Sequence, residues 1–140
     1  MRKLGTSGQV QIGKFNPDST SPENRMTPII ENFDGYGAAV LDSLINDASE
    51  WITIDEIGYL EGTSRFFINK LNELFERKRV MAVVRKQDIK HINEIISRED
   101  TLAIDLDKRS LSNQASFCVK IKKSLLLKTG CLLCKTHKIE

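Results

Sequence analysis

The apolar positions of this chain change period several times between Phe33 and Asp107, and each change predicts an element. Ala38, Leu41, Leu44 and Ile45 recur at helical spacing behind Asp34, a candidate cap, which predicts a helix up to about Asp47. Trp51-Ile52-Thr53-Ile54 is a β-branched run closed by Asp55-Glu56, the pattern of a buried strand that ends in acid. Past the turn residues Gly58 and Gly62, Thr63 or Ser64 can cap a second helix with Phe67, Leu71, Leu74 and Phe75 on one face. Arg77-Lys78-Arg79 suits its C-terminal end, where the helix dipole favours cations. Val80 to Val84 is apolar throughout, as in a strand covered on both faces. Asp88 is a candidate start for a third helix with Ile89, Ile92 and Ile96 facing inward, and Thr101 to Leu106 is a third strand.

Strands separated by helices imply βαβ crossovers, and hence an α/β fold: a three-layer arrangement with a mostly parallel sheet and flanking helices. Three strands make a small sheet, so either the fold is minimal or it is incomplete and lacks strands that a complete domain would supply. Residues 1–32 are rich in Gly, Ser, Thr, Asn and Pro and read as a loop and hairpin segment, in which Val10-Gln11-Ile12 is the one short alternating piece. Residues 33–109 form the α/β core, and residues 110–140 are a separate tail with no comparable period.

Charge sharpens that division. The formal charge is +2, yet residues 108–140 hold eight Lys or Arg and one acid, which makes them +7 and leaves the first 107 residues at −5. No apolar run approaches the ~20 residues that span a bilayer, and the N-terminus lacks the apolar stretch of a secretory signal. The three cysteines, Cys118, Cys131 and Cys134, all fall in the tail, an odd number that does not suit a disulfide framework. A cytoplasmic protein is expected.

The chemistry concentrates in Asp55-Glu56. Ligands of a parallel α/β sheet bind outside the carboxyl ends of the strands, where these two acids fall. An acid directly after a buried strand can hold magnesium, and the next can orient a water for attack on a phosphate. Adjacent strand residues point in different directions, which allows two separate roles. The pattern alone fits equally an acid pair that ends the strand and caps the next segment.

The stretch WITIDEIGYLEGTSRFFINKLNELFERKRVMAVVRK resembles the cancer-related nucleoside-triphosphatase family of P-loop proteins. There, too, a strand ending in Asp-Glu is followed by Ile-Gly, an acidic turn, a helix and a strand running into a basic pair. The helix Gly37 to Ile45 and the strand Leu102 to Asp107 fit the same layout, so the resemblance covers about Gly8 to Arg109. It implies a P-loop NTPase-like fold and Mg2+-dependent hydrolysis of ATP, GTP or related nucleoside triphosphates to diphosphate and phosphate. Asp55 corresponds to the Walker B acid associated with the metal, and Glu56 to the catalytic base. Arg85 and Lys86 lie where the family's next strand exits towards the nucleotide, and are also explained as a solvated strand end. Arg65 is a candidate phosphate contact, or simply an exposed helix residue.

This class needs G-x-x-x-x-G-K-[ST] between its first strand and first helix, because backbone amides and the Lys cradle the phosphates while the hydroxyl binds magnesium. Gly8-Gln9-Val10-Gln11-Ile12-Gly13-Lys14 fits only superficially. Phe15 stands where the hydroxyl belongs, no apolar strand precedes Gly8, and Asn16-Pro17 comes where a helix should run. The segment reads as a hairpin edge, and the resembled family has a Gly-Lys-aromatic segment of this sort between phosphate loop and acidic strand. The layout therefore corresponds to the C-terminal two-thirds of the family's domain, with first strand, phosphate loop and first helix expected upstream. Without a recognisable Walker A motif, the chain alone is either part of a hydrolase or a non-catalytic remnant that acts as a binding or regulatory module.

In the tail, Cys131, Cys134, His137 and the distant Cys118 could supply four zinc ligands, but the second knuckle is missing and Leu132-Leu133 suit burial better. Its charge allows contact with nucleic acid or an anionic membrane, while its one aromatic ring, Phe117, argues against base stacking. Val119, Ile121 and Leu125 to Leu127 can instead form a strand and a short helix with a solvated Lys face.

Overall fold

A computed structural model describes residues 9–20, 25–105 and, as backbone, 131–136 of the 140-residue chain. The chain divides into two compact units, Met1–Asp47 with Tyr59–Leu74, and Ala48–Gly58 with Phe75–Glu140. The predicted α/β class is observed, with a parallel sheet and helices in its crossovers.

In the first unit, β1 (Gly13–Phe15) and β2 (Met26–Pro28) form an antiparallel pair. This is the hairpin edge expected of the Gly-Lys-Phe segment. A Cβ on Gly13 would come within 3.1 Å of the Met26 side chain and 3.5 Å of Leu60, so this glycine lets the second strand and Leu60 approach closely. Tyr59 ties the pair down, because its hydroxyl donates to the Met26 carbonyl and accepts from the Met26 amide, both at 2.9 Å.

The first helical segment starts earlier than its apolar spacing predicts. It runs through α1 (Ile30–Asn32), a π-helical stretch Phe33–Gly37 and α2 (Ala38–Ile45). Asp34 therefore lies inside the helical run instead of capping it. Its carboxylate accepts a hydrogen bond from the hydroxyl of Ser64, which in turn accepts the Phe67 amide at 3.0 Å and so caps α3 (Arg65–Arg77). Phe33 meets Phe67 edge to face at 5.2 Å, and Ala38, Leu41, Ile45, Leu71 and Leu74 complete the buried set of this unit.

The second unit is built on a parallel sheet in the order β3-β4-β6-β5, from β3 (Trp51–Ile57), β4 (Arg79–Arg85), β5 (Thr101–Asp105) and β6 (Cys131–Thr136). The strand β6 comes from the basic tail, where no period predicts it, and it pairs with β4 on one side and β5 on the other. The tail's other predicted elements lie outside the described residues, as do Cys118 and His137. Ile52, Ile57, Phe75, Val80, Ala82, Val84, Ile92, Ile95 and Ile104 form the core. α4 (Lys90–Ile96) packs against β5 and starts two residues beyond Asp88, whose carboxylate instead accepts the Asn93 side-chain amide at 2.7 Å. Ile95, rather than Ile96, is among its fully buried residues. Coverage of β4 is uneven, since Val80, Ala82 and Val84 are buried whereas Met81 is 38% exposed.

Candidate functional site

The acidic strand end is shaped by a bulge. Ile52 pairs with Val80 and Ile54 with Ala82, but the next pairing is Ile57 with Val84. β3 thus advances three residues where β4 advances two. In a regular strand Glu56 would share the inward face of Ile52 and Ile54; the extra residue shifts the parity, returns Ile57 to the core at 1% exposure, and leaves Asp55 and Glu56 both exposed. The strand accordingly continues through Ile57 instead of closing at Ile54, and the two acids lie within it.

Glu56 is bonded to the next strand. Arg85, the last residue of β4, donates from Nε to Glu56 Oε1. The close approach of a glycine makes room for it, because a Cβ on Gly58 would lie 3.2 Å from Arg85 Cδ and 3.5 Å from its Nε. Gly58 is itself held through its carbonyl, 2.8 Å from Nε2 of the buried His91 on α4. The Asp55 carboxylate, by contrast, makes no hydrogen bond or ion pair among the described residues. No group of three or more His, Cys, Asp or Glu side chains is gathered there as a metal cage, again among the described residues.

Beside the pair, a shallow cavity of about 320 Å³ opens at the ends of β4 and β5. Arg85, Lys86, Asp88, Asn93 and Asp105 give it a polar wall and Ile96 an apolar one. Lys86 reaches Asp105 at 2.6 Å across the end of the sheet. The backbone register sets Lys135 and Thr136 of β6 between the ends of these strands, opposite Val84, Arg85 and Asp105. Arg65, the first residue of α3, is exposed and belongs to the other unit.

Of the five residues singled out from sequence, Asp55, Glu56, Arg85 and Lys86 thus cluster at the C-terminal ends of two adjacent parallel strands. Asp105, Gly58 and His91 were not among them. Asp105 repeats the signal that marks Asp55, an acid at the end of an apolar strand; the roles of Gly58 and His91 leave no trace in local pattern, since both depend on contacts between distant segments. Lys14 is exposed on the β1 hairpin.

No helix among the described residues is long and apolar enough to cross a membrane. Neither a curated protein nor a solved structure matches the chain. A family model described as NTPase does match it, over residues 3–115, a span that contains the bulged acidic strand, the basic exit of β4 and the strand ending at Asp105. With most of its length inside that match, the chain belongs to the NTPase family.

Proposed function

We propose that this chain carries the metal and water side of a nucleoside-triphosphate hydrolysis site, in which Asp55 meets a magnesium ion that arrives with the nucleotide and Glu56 orients the attacking water. The observation that carries the reading is the β3 bulge, which turns two consecutive acids to solvent at the carboxyl end of a parallel strand.

The donor set fits magnesium that comes with its substrate. Mg2+ is commonly held by one or two carboxylates together with phosphate oxygens and waters, so an open Asp55 with no cage around it among the described residues suits it. Asp55 would hold the ion, which would supply neutralisation of the phosphate charge when bound. The chain's own contribution is positional: Glu56 accepts a proton from the water it orients, and Arg85 and Lys86 supply positive charge beside the transferring phosphate. Arg65 is assigned a phosphate contact on the family resemblance. The products are a nucleoside diphosphate and phosphate, and the cytoplasm is the compartment this reading assigns.

A second reading, a non-catalytic binding or regulatory module, is favoured by a different observation. The 140 residues hold no complete G-x-x-x-x-G-K-[ST], and Gly13-Lys14 is committed to a hairpin. Phosphate release and Mg-nucleotide titration separate the two. Hydrolysis predicts that Glu56→Gln abolishes release without weakening binding, and unchanged turnover in that variant removes Glu56 from the mechanism. The module predicts no saturable nucleotide binding below millimolar concentration.

A further inference from the structure

Glu56 does not stand free to act as a base, because its carboxylate is occupied by Arg85. An arginine stays protonated at any working pH, so the pair cannot be released by deprotonation of the guanidinium. It has to be released by exchange of partners. Four observations describe how.

The pair is open to solvent at one end, with 48% of the Glu56 side chain exposed against 21% for Arg85. An ion pair so exposed is weakly held and gives way to a stronger anion. Arg85 also lines the 320 Å³ cavity at the strand ends, so one residue faces both the candidate base and the space beside it. Its terminal nitrogens make no further hydrogen bond among the described residues, which leaves most of the guanidinium's five donors uncommitted. The other cation of the cavity, Lys86, is already engaged with Asp105. Finally, the Arg85 stem lies over Gly58, where a Cβ would stand only 3.2 Å from Arg85 Cδ, so no side chain at that position stands between the stem and the backbone.

We propose that Arg85 is a positioning residue that exchanges Glu56 for a polyphosphate oxygen in the adjoining cavity, so that Glu56 is freed only when the phosphate chain is present. The exchange moves no covalent bond: one guanidinium–carboxylate pair is replaced by a guanidinium–phosphate pair, which a planar, multidentate donor holds more strongly. Water activation in the absence of substrate is thereby suppressed. This inference rests on the phosphate-site reading above and adds to it a coupling between the two halves of the site.

The test is calorimetric titration of the full chain with inorganic tripolyphosphate, in the wild type, Glu56→Gln, Arg85→Gln and the double variant. Loss of the competing carboxylate in Glu56→Gln is expected to tighten binding about fivefold. Arg85→Gln should weaken it at least about tenfold. In the Arg85→Gln background the Glu56 substitution should change affinity by less than about twofold, because the two then no longer compete. Equal tightening by Glu56→Gln in both backgrounds would mean simple charge repulsion and would overturn the exchange while leaving the phosphate site intact. No binding of tripolyphosphate to the wild type overturns the phosphate site and the exchange together. The wild type also offers a readout independent of any variant's folding: the Arg85 Nε–H resonance should move on saturation with tripolyphosphate, and a resonance that stays at its ligand-free position while the ligand binds also rules out the exchange.

Discussion

Ile54 and Ile57 occupy the same row of β3 although three residues apart, because their partners Ala82 and Val84 are only two apart on β4. One surplus residue therefore sits between them, and it is this surplus that keeps both Asp55 and Glu56 out of the core. The arrangement divides labour within a short segment: the isoleucines anchor the strand to the sheet, and the acids between them are left free of any packing duty.

That division predicts opposite costs for neighbouring substitutions. Ile57→Ala removes a side chain with 1% exposure and should lower unfolding stability by about 2–5 kcal/mol. Asp55→Ala and Glu56→Ala, at exposed positions, should stay within about 0.5 kcal/mol. Urea denaturation of the three variants decides it, and a large loss from either acid substitution would make the acids structural.

Ser64 links two helical segments of the first unit, since its hydroxyl donates to Asp34 and accepts the Phe67 amide. Ser64→Ala removes the cap of α3 and leaves the Phe67 amide without its partner. A loss of about 1–2 kcal/mol is expected. Thermal unfolding should also show that Ser64→Thr, which keeps the hydroxyl, loses less; equal losses would point to packing in place of hydrogen bonding.

Asp100 is held below the ordinary carboxylate range by the hydrogen bonds of Arg98, which outweigh the opposing effect of burial, with the charge of Arg98 adding to them. Both oxygens are engaged, by Nε and Nη2 of Arg98 at 2.9 Å each. A carboxyl whose pKa is lower in the folded chain binds fewer protons there, so its stabilisation is present above the unfolded carboxylate value near ~4 and fades as pH falls through the lower folded value. Stability curves should thus converge for wild type and Asp100→Asn in strong acid and separate above about pH 4, by about 1 kcal/mol or less for this partly exposed pair. A difference that persists unchanged at the lowest pH would show that the Arg98–Asp100 pair is not its source.

Strand β6 is the only strand partner of β5 among the described residues, and it also covers one edge of β4. Truncation after residue 130 should therefore destabilise the second unit by more than about 2 kcal/mol and lower protection of the β4 and β5 amides in hydrogen exchange. Protection unchanged by the truncation would show that the tail strand adds nothing to the sheet.

Much of the fold and of the acid–base cluster is legible in the sequence, and the reason is local. The buried positions Phe67, Leu71, Leu74 and Phe75 follow the helical period that predicts them, and Asp55, Glu56, Arg85 and Lys86 belong to a motif read along a continuous stretch. The neighbours Phe15 and Pro17 argue against a phosphate loop at Gly8 to Lys14 and for a hairpin edge, and β1 does pair antiparallel with β2. Local pattern fails where a distant partner decides. Asp34 looks like a cap until Ser64, thirty residues away, claims its carboxylate. The tail has no period of its own, yet β6 finds its place through hydrogen bonds to β4 and β5, which are made by backbone and leave little mark on side-chain pattern.

Between Phe33 and Asp105 the amino-acid order by itself determined the succession of helices and strands, most of the positions they bury, and that an acid pair and a basic pair end successive strands. Those properties follow from periodicity and side-chain chemistry within a few residues. Tertiary structure alone decided that both acids face water, that Arg85 holds Glu56, and that the basic tail supplies an inner strand. Each of these depends on strand register, and register is a relation between segments far apart in the chain: a single surplus residue in β3 reverses which side chains are buried, and no local pattern records it.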